Sequence, residues 1–435
     1  MLSNTIVSYD SITKPFGGRD ALLQKTRQAA EKVIASPASV SAKMAEFAAG
    51  LDAMQQSQGN FSQVLHTPRN PTAALLQAHV ASQAVQHDQL ESFVLKGIEE
   101  VLEIFEVRFS QKDWVGWMIS FFTWIEGIVP AARPPALQDP EKIANHCNIA
   151  VLGDWGTGLY GAPVCAESVR HDPDPYHLLL HLGDVYYSGT PDEIEDRFIT
   201  RWPQVPGALS RALIGNHERY TGAHGYFDSL LPWLHQTSSY FALQNDFWLL
   251  IGLDTAYYQD FWGQEGVLDP DQVSWLGRVL KTAGNRKVVL FSHHQPFTLL
   301  DNNGGGNLLQ TLSEFLDAGK IFAWYWGHEH RCLLYDPHPL YKFTGRCVGH
   351  SGFPETRPDL IAAPASPEFG SQWRKLEGTG KIPGAWVLDT PNLYIPGSEA
   401  DFAPNGFMRL ELRDDRLIEY VRAPDNANIY LKDLA

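Results

Sequence analysis

The chain has 435 residues, of which 44% are hydrophobic and 19% charged, the balance of an ordinary soluble globular protein. Its formal net charge of −16 argues against a general binding surface for nucleic acid or for an anionic membrane. Four cysteines are too few for a disulfide framework in a chain of this length. We expect buried thiols, although the spacing of Cys332 and Cys347 would also allow a hairpin disulfide.

Residues 1–130 show helical hydrophobic periodicity without strand-like runs, and they predict an all-helical N-terminal domain. The clearest helix of this domain covers residues 88–109. Residues 114–129 are the most apolar stretch, but they are fewer than the roughly 20 residues that cross a membrane, and Glu126 interrupts them. We expect a buried helix that packs on the next domain, with contact at a membrane surface as the alternative.

Residues 131–145 are rich in proline and predict a linker between two domains. The first residues of the chain lack a basic segment followed by an apolar one, so we expect a cytoplasmic protein without a secretory signal.

Residues 146–435 predict the second domain, in which short apolar strands alternate with helices, as in α/β proteins. Helices are expected over 191–202 and after Asp269, which is placed as an N-cap before Pro270. Residues 354–383 are expected to form a surface excursion. The later strands should complete a second sheet on the first; they are predicted at 340–347, 385–388, 407–412 and 416–421.

Five of the apolar runs end in side chains that commonly bind metals. Buried parallel strands look like such runs, and ligands of open α/β sheets lie just beyond the carboxyl ends of the strands. One Gly-Asp pair after a strand is weak evidence, because both residues are common in turns. Five such ends in one chain predict a shared site; they are Gly153-Asp154-Trp155-Gly156, Gly183-Asp184-Val185-Tyr186-Tyr187, Gly215-Asn216-His217-Glu218, Ser292-His293-His294 and Gly327-His328-Glu329-His330.

These residues are enough for two coordination spheres. Two cations about 3.5–4 Å apart can hold both the attacking and the leaving oxygen of a phosphoryl displacement. A carboxylate is the best shared ligand, and Asp184 is predicted to be that bridge. Carboxylate, amide, imidazole and phenol donors together indicate Fe, Mn or Zn, since Mg and Ca prefer oxygen alone.

The five motifs in this order resemble the calcineurin-like metallophosphoesterases over residues 146–350, and most closely the purple acid phosphatase type. The resemblance implies a four-layer α/β/β/α sandwich. In most of the superfamily the first motif is Asp-x-His, whereas this chain has Gly156 at the third position. The members without that histidine carry a tyrosine in the second motif, and Tyr187 occupies that place.

The resemblance also implies a ligand set and a catalytic group. The first metal would be bound by Asp154, Asp184, Tyr187 and His330. The second would be bound by Asp184, Asn216, His328 and one histidine of the pair His293 and His294, which the motif leaves unresolved with a slight preference for His293. His217 would bind the phosphate and protonate the leaving group. The metals implied are iron with iron, manganese or zinc, with a phenolate charge-transfer colour.

The expected activity is hydrolysis of a small phosphate monoester by a metal-bound hydroxide. A phosphodiester, such as a cyclic nucleotide or a glycerophosphodiester, is the alternative substrate. A different alternative is a partner- or membrane-binding protein in which the hydrolase site is secondary. The secreted plant enzymes of this type have a β-sandwich and a signal peptide before the catalytic domain, whereas this chain has helical periodicity there.

Overall fold

A computed structural model describes residues 130–136, 139–158, 161–258, 266–300, 306–355, 357, 365–366, 370–394 and 399–435. The predicted helical domain, including the apolar residues 114–129, lies outside these residues except for Pro130. The helical domain and the membrane-surface alternative therefore remain predictions.

Sixteen strands are found in the described part of the chain. In chain order they are β1 Glu141–Lys142, β2 His146–Leu152, β3 Leu178–His181, β4 Leu209–Ala212, β5 Phe241–Gln244, β6 Trp248–Leu253, β7 Lys287–Ser292, β8 Ile321–Trp326, β9 Cys332–Tyr335, β10 Thr344–Val348, β11 Ala365–Ser366, β12 Gly370–Leu376, β13 Ala385–Leu388, β14 Phe407–Arg413, β15 Arg416–Arg422 and β16 Asn428–Asp433.

The described helices are short, apart from two that exceed two turns. They are α1 Gly161–Arg170, α2 Pro191–Glu193, α3 Asn216–Arg219, α4 Leu231–Trp233, α5 Pro270–Lys281, α6 Asn307–Thr311 and α7 Ser313–Asp317, together with π-helical segments at Ile194–Ile199 and Gly225–Leu230. The expected helix over 191–202 is present as α2 and the π-helical segment after it. The Asp269 carboxylate accepts from the Asp271 and Gln272 amides, so the predicted N-cap of α5 is confirmed.

The strands form two sheets. One has the order β16-β15-β14-β2-β3-β4, in which β2, β3 and β4 are parallel. The other has the order β1-β5-β6-β7-β8-β10-β9-β13-β12-β11, in which β6, β7, β8 and β10 are parallel. The later strands, expected to complete one second sheet, are divided between the two sheets. β14 and β15 join β2, whereas β10 and β13 join the sheet of β7, so each sheet combines early and late strands.

The two sheets pack face to face over a continuous apolar core. Side chains at every second position, such as Ile149 and Val151 of β2, meet Val289 and Phe291 of β7 in this layer. Helix α1 covers the outer face of the six-stranded sheet, and α5 covers the outer face of the other. The result is the predicted four-layer α/β/β/α sandwich.

Residues expected to form a linker are packed against the domain. The Ala131 amide donates to the Gly222 carbonyl at 2.8 Å, and the Arg133 guanidinium contacts the carboxylates of Asp254 and Asp269. Strand β1 pairs with β5. Within the described ranges, no helix combines the length and apolar character needed to cross a membrane.

Two local expectations can also be compared with the structure. Cys332 and Cys347 are buried free thiols, as are the other two cysteines, and no disulfide joins them. The segment 354–383, expected to be a surface excursion, contains β11 and β12, which extend the larger sheet by antiparallel pairing.

Candidate metal centre

The five motifs meet where the ends of both sheets come together. The six-stranded sheet brings the loops after β2, β3 and β4, and the ten-stranded sheet brings the loops after β7 and β8. Four of the predicted ligands have a left-handed backbone, namely Asp154, Asp184, His328 and His330, with φ between 51° and 73°. Such conformations cost on the order of 1 kcal/mol or more each and concentrate at functional sites. In each case the left-handed conformation directs the side chain from the end of its strand toward the centre of the site.

The first donor group consists of Asp154, Asp184 and His330, whose potential ligand atoms all lie within 4.8 Å of one another. The Nε2 atom of His330 is 3.4 Å from Asp154 Oδ1. The other Asp154 oxygen, Oδ2, accepts the His328 amide N–H at 2.7 Å, so the backbone of one motif fixes the carboxylate of another. These three residues are the ligands predicted for the first metal, apart from Tyr187.

The second donor group consists of His293, His294 and His328. His293 Nε2 lies 2.9 Å from Asn216 Oδ1, 2.9 Å from His328 Nδ1 and 3.4 Å from Asp184 Oδ1. The pair that the sequence left open is therefore placed together, and His293 is the member in direct contact with Asn216 and Asp184. His294 Nδ1 instead lies 2.9 Å from the Thr255 hydroxyl.

Asp184 connects the two groups. It belongs to the first, and its Oδ1 atom reaches His293 of the second. This is the placement expected of a carboxylate shared by two cations.

Hydrogen bonds at the far side of two imidazoles determine which nitrogen faces the centre. His293 Nδ1 donates to the Leu182 carbonyl at 2.9 Å, and His330 Nδ1 donates to Glu355 Oε2 at 3.1 Å. In both rings the Nε2 lone pair is then directed at the other donors, as is usual for metal-binding histidines. Glu355 was missed by the sequence analysis, because it lies in a loop that gave no motif.

Asn216 is oriented in the same way. Its amide nitrogen donates to the Tyr220 hydroxyl at 2.9 Å, which directs Oδ1 toward His293 Nε2. Two acceptors then face each other at hydrogen-bond distance. Such an approach is repulsive unless a proton or a cation lies between them.

Tyr186 lies in the centre, although Tyr187 is the motif tyrosine. The Tyr186 hydroxyl is 2.7 Å from His330 Nε2, and its ring stacks on His217 with centroids 3.8 Å apart. The Tyr187 ring faces the Arg197 guanidinium at 5.2 Å, and the Tyr187 amide donates to Glu193. Ligation by Tyr187 therefore stays a prediction, while the described contacts bring the neighbouring phenol to the donor group.

His217, the predicted proton donor, borders the shared carboxylate. Its Nδ1 donates to the Tyr187 carbonyl at 2.6 Å, and its amide donates to Asp184 Oδ1 at 3.1 Å. The Nε2 atom is 3.9 Å from Asp184 Oδ2. The ring thus presents Nε2 on the Asp184 side of the site, as a general acid would require.

Glu218 supports the backbone of two motifs. Its carboxylate accepts the amides of Asp184 and Val185 from the second motif and of Gly215 from the third, at 2.8–3.2 Å. Burial raises the pKa of Glu218 to about 7, although these backbone donors oppose the rise. These bonds fix the loop of Asp184 and the loop of Asn216 relative to each other.

Two polar residues outside the donor groups, Asp254 and His224, have partners other than the donors, and burial keeps a third, His350, neutral. Asp254 accepts the amides of Ala256 and Tyr257 and so caps the loop after β6. His224 pairs with Asp228 at 2.8 Å. Burial lowers the pKa of His350 to about 3, which keeps its ring neutral near pH 7.

The donor set fits a pair of cations. Asp154 Oδ1 and Asp184 Oδ2 are buried and have no hydrogen-bond partner among the described residues. Burial raises the pKa of both carboxyl groups well above the usual range, and their mutual repulsion adds to this for Asp184. A buried carboxylate is stable when a cation or a donor balances it. The mixture of oxygen and imidazole donors is typical of transition metals.

Gly156, the position where most of the superfamily has histidine, connects the first two motifs through its backbone. Its amide donates to the Asp184 carbonyl at 3.2 Å, and its carbonyl accepts the Tyr186 amide at 3.0 Å. Its φ is +67°, and an added Cβ atom would lie 3.3 Å from the Phe353 backbone. The chain thus has a glycine there for conformational reasons as well.

Comparison with known proteins gives a sequence match for this part of the chain. Residues 147–332 match the family model described as calcineurin-like phosphoesterase. The glycerophosphodiester phosphodiesterase GpdQ of Enterobacter lignolyticus (strain SCF1) is 25% identical over 243 residues, which cover 51% of this chain and 82% of that protein.

Solved structures with similarity to the chain include two phosphatases. Purple acid phosphatase PPD1 from seeds of yellow lupin (Lupinus luteus) has a TM-score of 0.46 and 12% identity, over 69% of this chain and 55% of that one. A dimetal phosphatase from Danio rerio has a TM-score of 0.39 and 12% identity, over 68% of this chain and 99% of that one. The similarity thus spans about half the length of the lupin protein.

The family match and the donor set define the class of protein: a metal-dependent phosphoric ester hydrolase. Residues 147–332 are the part of the chain that matches the calcineurin-like phosphoesterase family model. The predicted superfamily and enzyme class are confirmed.

Proposed function

We propose that the protein hydrolyses a phosphate monoester at a centre of two cations. The observation that carries this is the pair of buried donor groups joined by Asp184. Asp154, Asp184 and His330 would hold one cation, and Asp184, Asn216, His293 and His328 the other. When bound, the cations would polarise the phosphoryl group and lower the pKa of water toward ~7. The mixed donors support iron paired with iron, manganese or zinc.

The chain's own residues would position the substrate and move one proton. His217 Nδ1–H is held by the Tyr187 carbonyl, so Nε2 is the atom that can carry a proton to the leaving oxygen. Stacking on Tyr186 keeps the ring in place next to Asp184. General acid catalysis of this kind contributes roughly 10²–10⁴-fold in rate.

Burial of the donors supports a monoester over a diester. The six residues assigned to the two cations are at most 5% exposed. A terminal phosphoryl group carries one organic substituent and approaches such buried donors more easily than a phosphorus atom with two. This is the basis for the preference.

A phosphodiester is the second candidate, and it is favoured by the sequence similarity to GpdQ, whose name describes a glycerophosphodiester phosphodiesterase. The same donors and the same His217 would serve that reaction, because only the second substituent on phosphorus differs.

Metal analysis and two chromogenic substrates test the proposal. The full-length protein should bind two transition-metal ions and hydrolyse p-nitrophenyl phosphate faster than bis-p-nitrophenyl phosphate. Asp184→Asn should lose at least one ion and nearly all activity. A faster diester reaction would select the second candidate. A protein with both ions bound that hydrolyses neither ester would refute both.

A further inference from the structure

We propose that Tyr186, and not the motif residue Tyr187, supplies the phenol oxygen of the first metal site. The inference rests on the two-cation centre proposed above and concerns which of two adjacent tyrosines belongs to it. The geometry of the described residues separates the two side chains.

The Tyr186 hydroxyl is surrounded by the other donors of the first group. It lies 2.7 Å from His330 Nε2, which belongs to the donor group of Asp154, Asp184 and His330. His330 Nε2 in turn is 3.4 Å from Asp154 Oδ1. Four donors from four different sequence positions therefore converge on one small volume.

The spacing of these atoms suits the ligands of a single cation. Oxygen and nitrogen donors bind transition metals at about 2.0–2.2 Å. Two such donors roughly 90–110° apart around one ion are then roughly 3 Å from each other, the separation observed for the Tyr186, His330 and Asp154 atoms. On binding, the phenol would release its proton to solvent.

The surrounding contacts hold the Tyr186 ring in this position. Its side chain is fully buried and contacts the His217 ring, with centroids 3.8 Å apart, and the Phe353 ring, with centroids 4.7 Å apart. Its amide donates to the Gly156 carbonyl at 3.0 Å, which ties the residue to the first motif. The residue is thus held by two ring contacts and through its backbone.

Tyr187 has a different set of contacts. Its amide donates to Glu193 Oε1 at 2.7 Å, its carbonyl accepts His217 Nδ1, and its ring faces Arg197, which is itself paired with Glu193. These contacts orient the general acid. They assign Tyr187 to positioning His217.

The adjacent tyrosines form a matched pair for the experiment. The full-length protein is loaded with Fe(III), which gives a visible charge-transfer band when phenolate is a ligand, and iron content is measured in parallel. Tyr186→Phe should abolish the band, whereas Tyr187→Phe should keep it at wild-type intensity per bound iron.

A second measurement covers variants that fold poorly. Site-specific 3,5-difluorotyrosine at position 186 should shift the band of the iron-loaded protein, and the same residue at position 187 should leave it in place. A band that follows position 187, or an iron-loaded wild type without a band, would overturn the assignment and leave the two-cation centre standing. A protein that binds no iron or other transition metal would overturn both.

Discussion

Replacing Glu355 tests whether its hydrogen bond to His330 supports binding of the first cation. Its carboxylate is 2% exposed and accepts His330 Nδ1–H at 3.1 Å. In Glu355→Ala the imidazole loses the bond that directs Nε2 to the first donor group. Loss of such a partner typically weakens metal binding by about 10–100-fold, or about 1.4–2.7 kcal/mol. The first cation should therefore bind that much more weakly, while the second is little affected.

The assay is competition with a chelator on metal-depleted protein, which gives one dissociation constant for each cation. Glu355→Gln should be weakened less than the alanine variant, because its amide oxygen can still accept from Nδ1. Glu419→Gln is the matched control, since this carboxylate is also buried but pairs with Arg346 away from the centre. Wild-type affinity for both cations in Glu355→Ala would refute the reasoning.

Three further predictions concern the acid, the second donor group and the sheet packing. His217→Asn should lower turnover by about 10²–10⁴-fold, because it removes the proton donor, with metal content unchanged. Thr255→Val should lower activity by about 10-fold, because the Thr255 hydroxyl holds the His294 ring, which packs 4.5 Å from the ring of the proposed ligand His328. Arg346→Leu should destabilise the fold by about 3–5 kcal/mol in urea unfolding, because Glu419 is then buried without its partner.

Each of these has its own control. Loss of both metals in the His217 variant would mean that the residue supports the centre itself. Thr255→Ser keeps the hydroxyl and should retain activity; equal loss in serine and valine variants would contradict the role of that contact. Replacing Arg346 and Glu419 together by leucine should cost less than Arg346→Leu alone. A double variant that is less stable than the single would argue that the pair is strongly net stabilising.

Much of the centre could be predicted from sequence because its residues follow apolar strands. A strand end fixes where the next side chain lies, so the order of residues alone places Asp154, Asp184 and His330 near one another. Asn216 and His293 follow by the same reasoning, and both lie at the centre.

Other features depend on contacts between distant segments. Pairing of β14 with β2 joins residues more than 250 positions apart, and no local pattern distinguishes it from pairing with β7. Glu355 lies 25 residues beyond His330 in a loop that follows no motif, and only the tertiary fold brings the two side chains together. Which of Tyr186 and Tyr187 turns inward depends on the loop after β3, whose conformation is set by Glu218, Glu193 and Gly156.

The glycine of the first motif, Gly156, also limits which residues can replace it. With φ at +67° and the Phe353 backbone 3.3 Å from the site of a Cβ atom, Gly156→His would place a side chain on a strained backbone and against the Phe353 backbone. The backbone of this glycine also makes the two hydrogen bonds that hold the second motif. A histidine at position 156 would therefore need a compensating change near Phe353, which disfavours an imidazole donor at this point of the site.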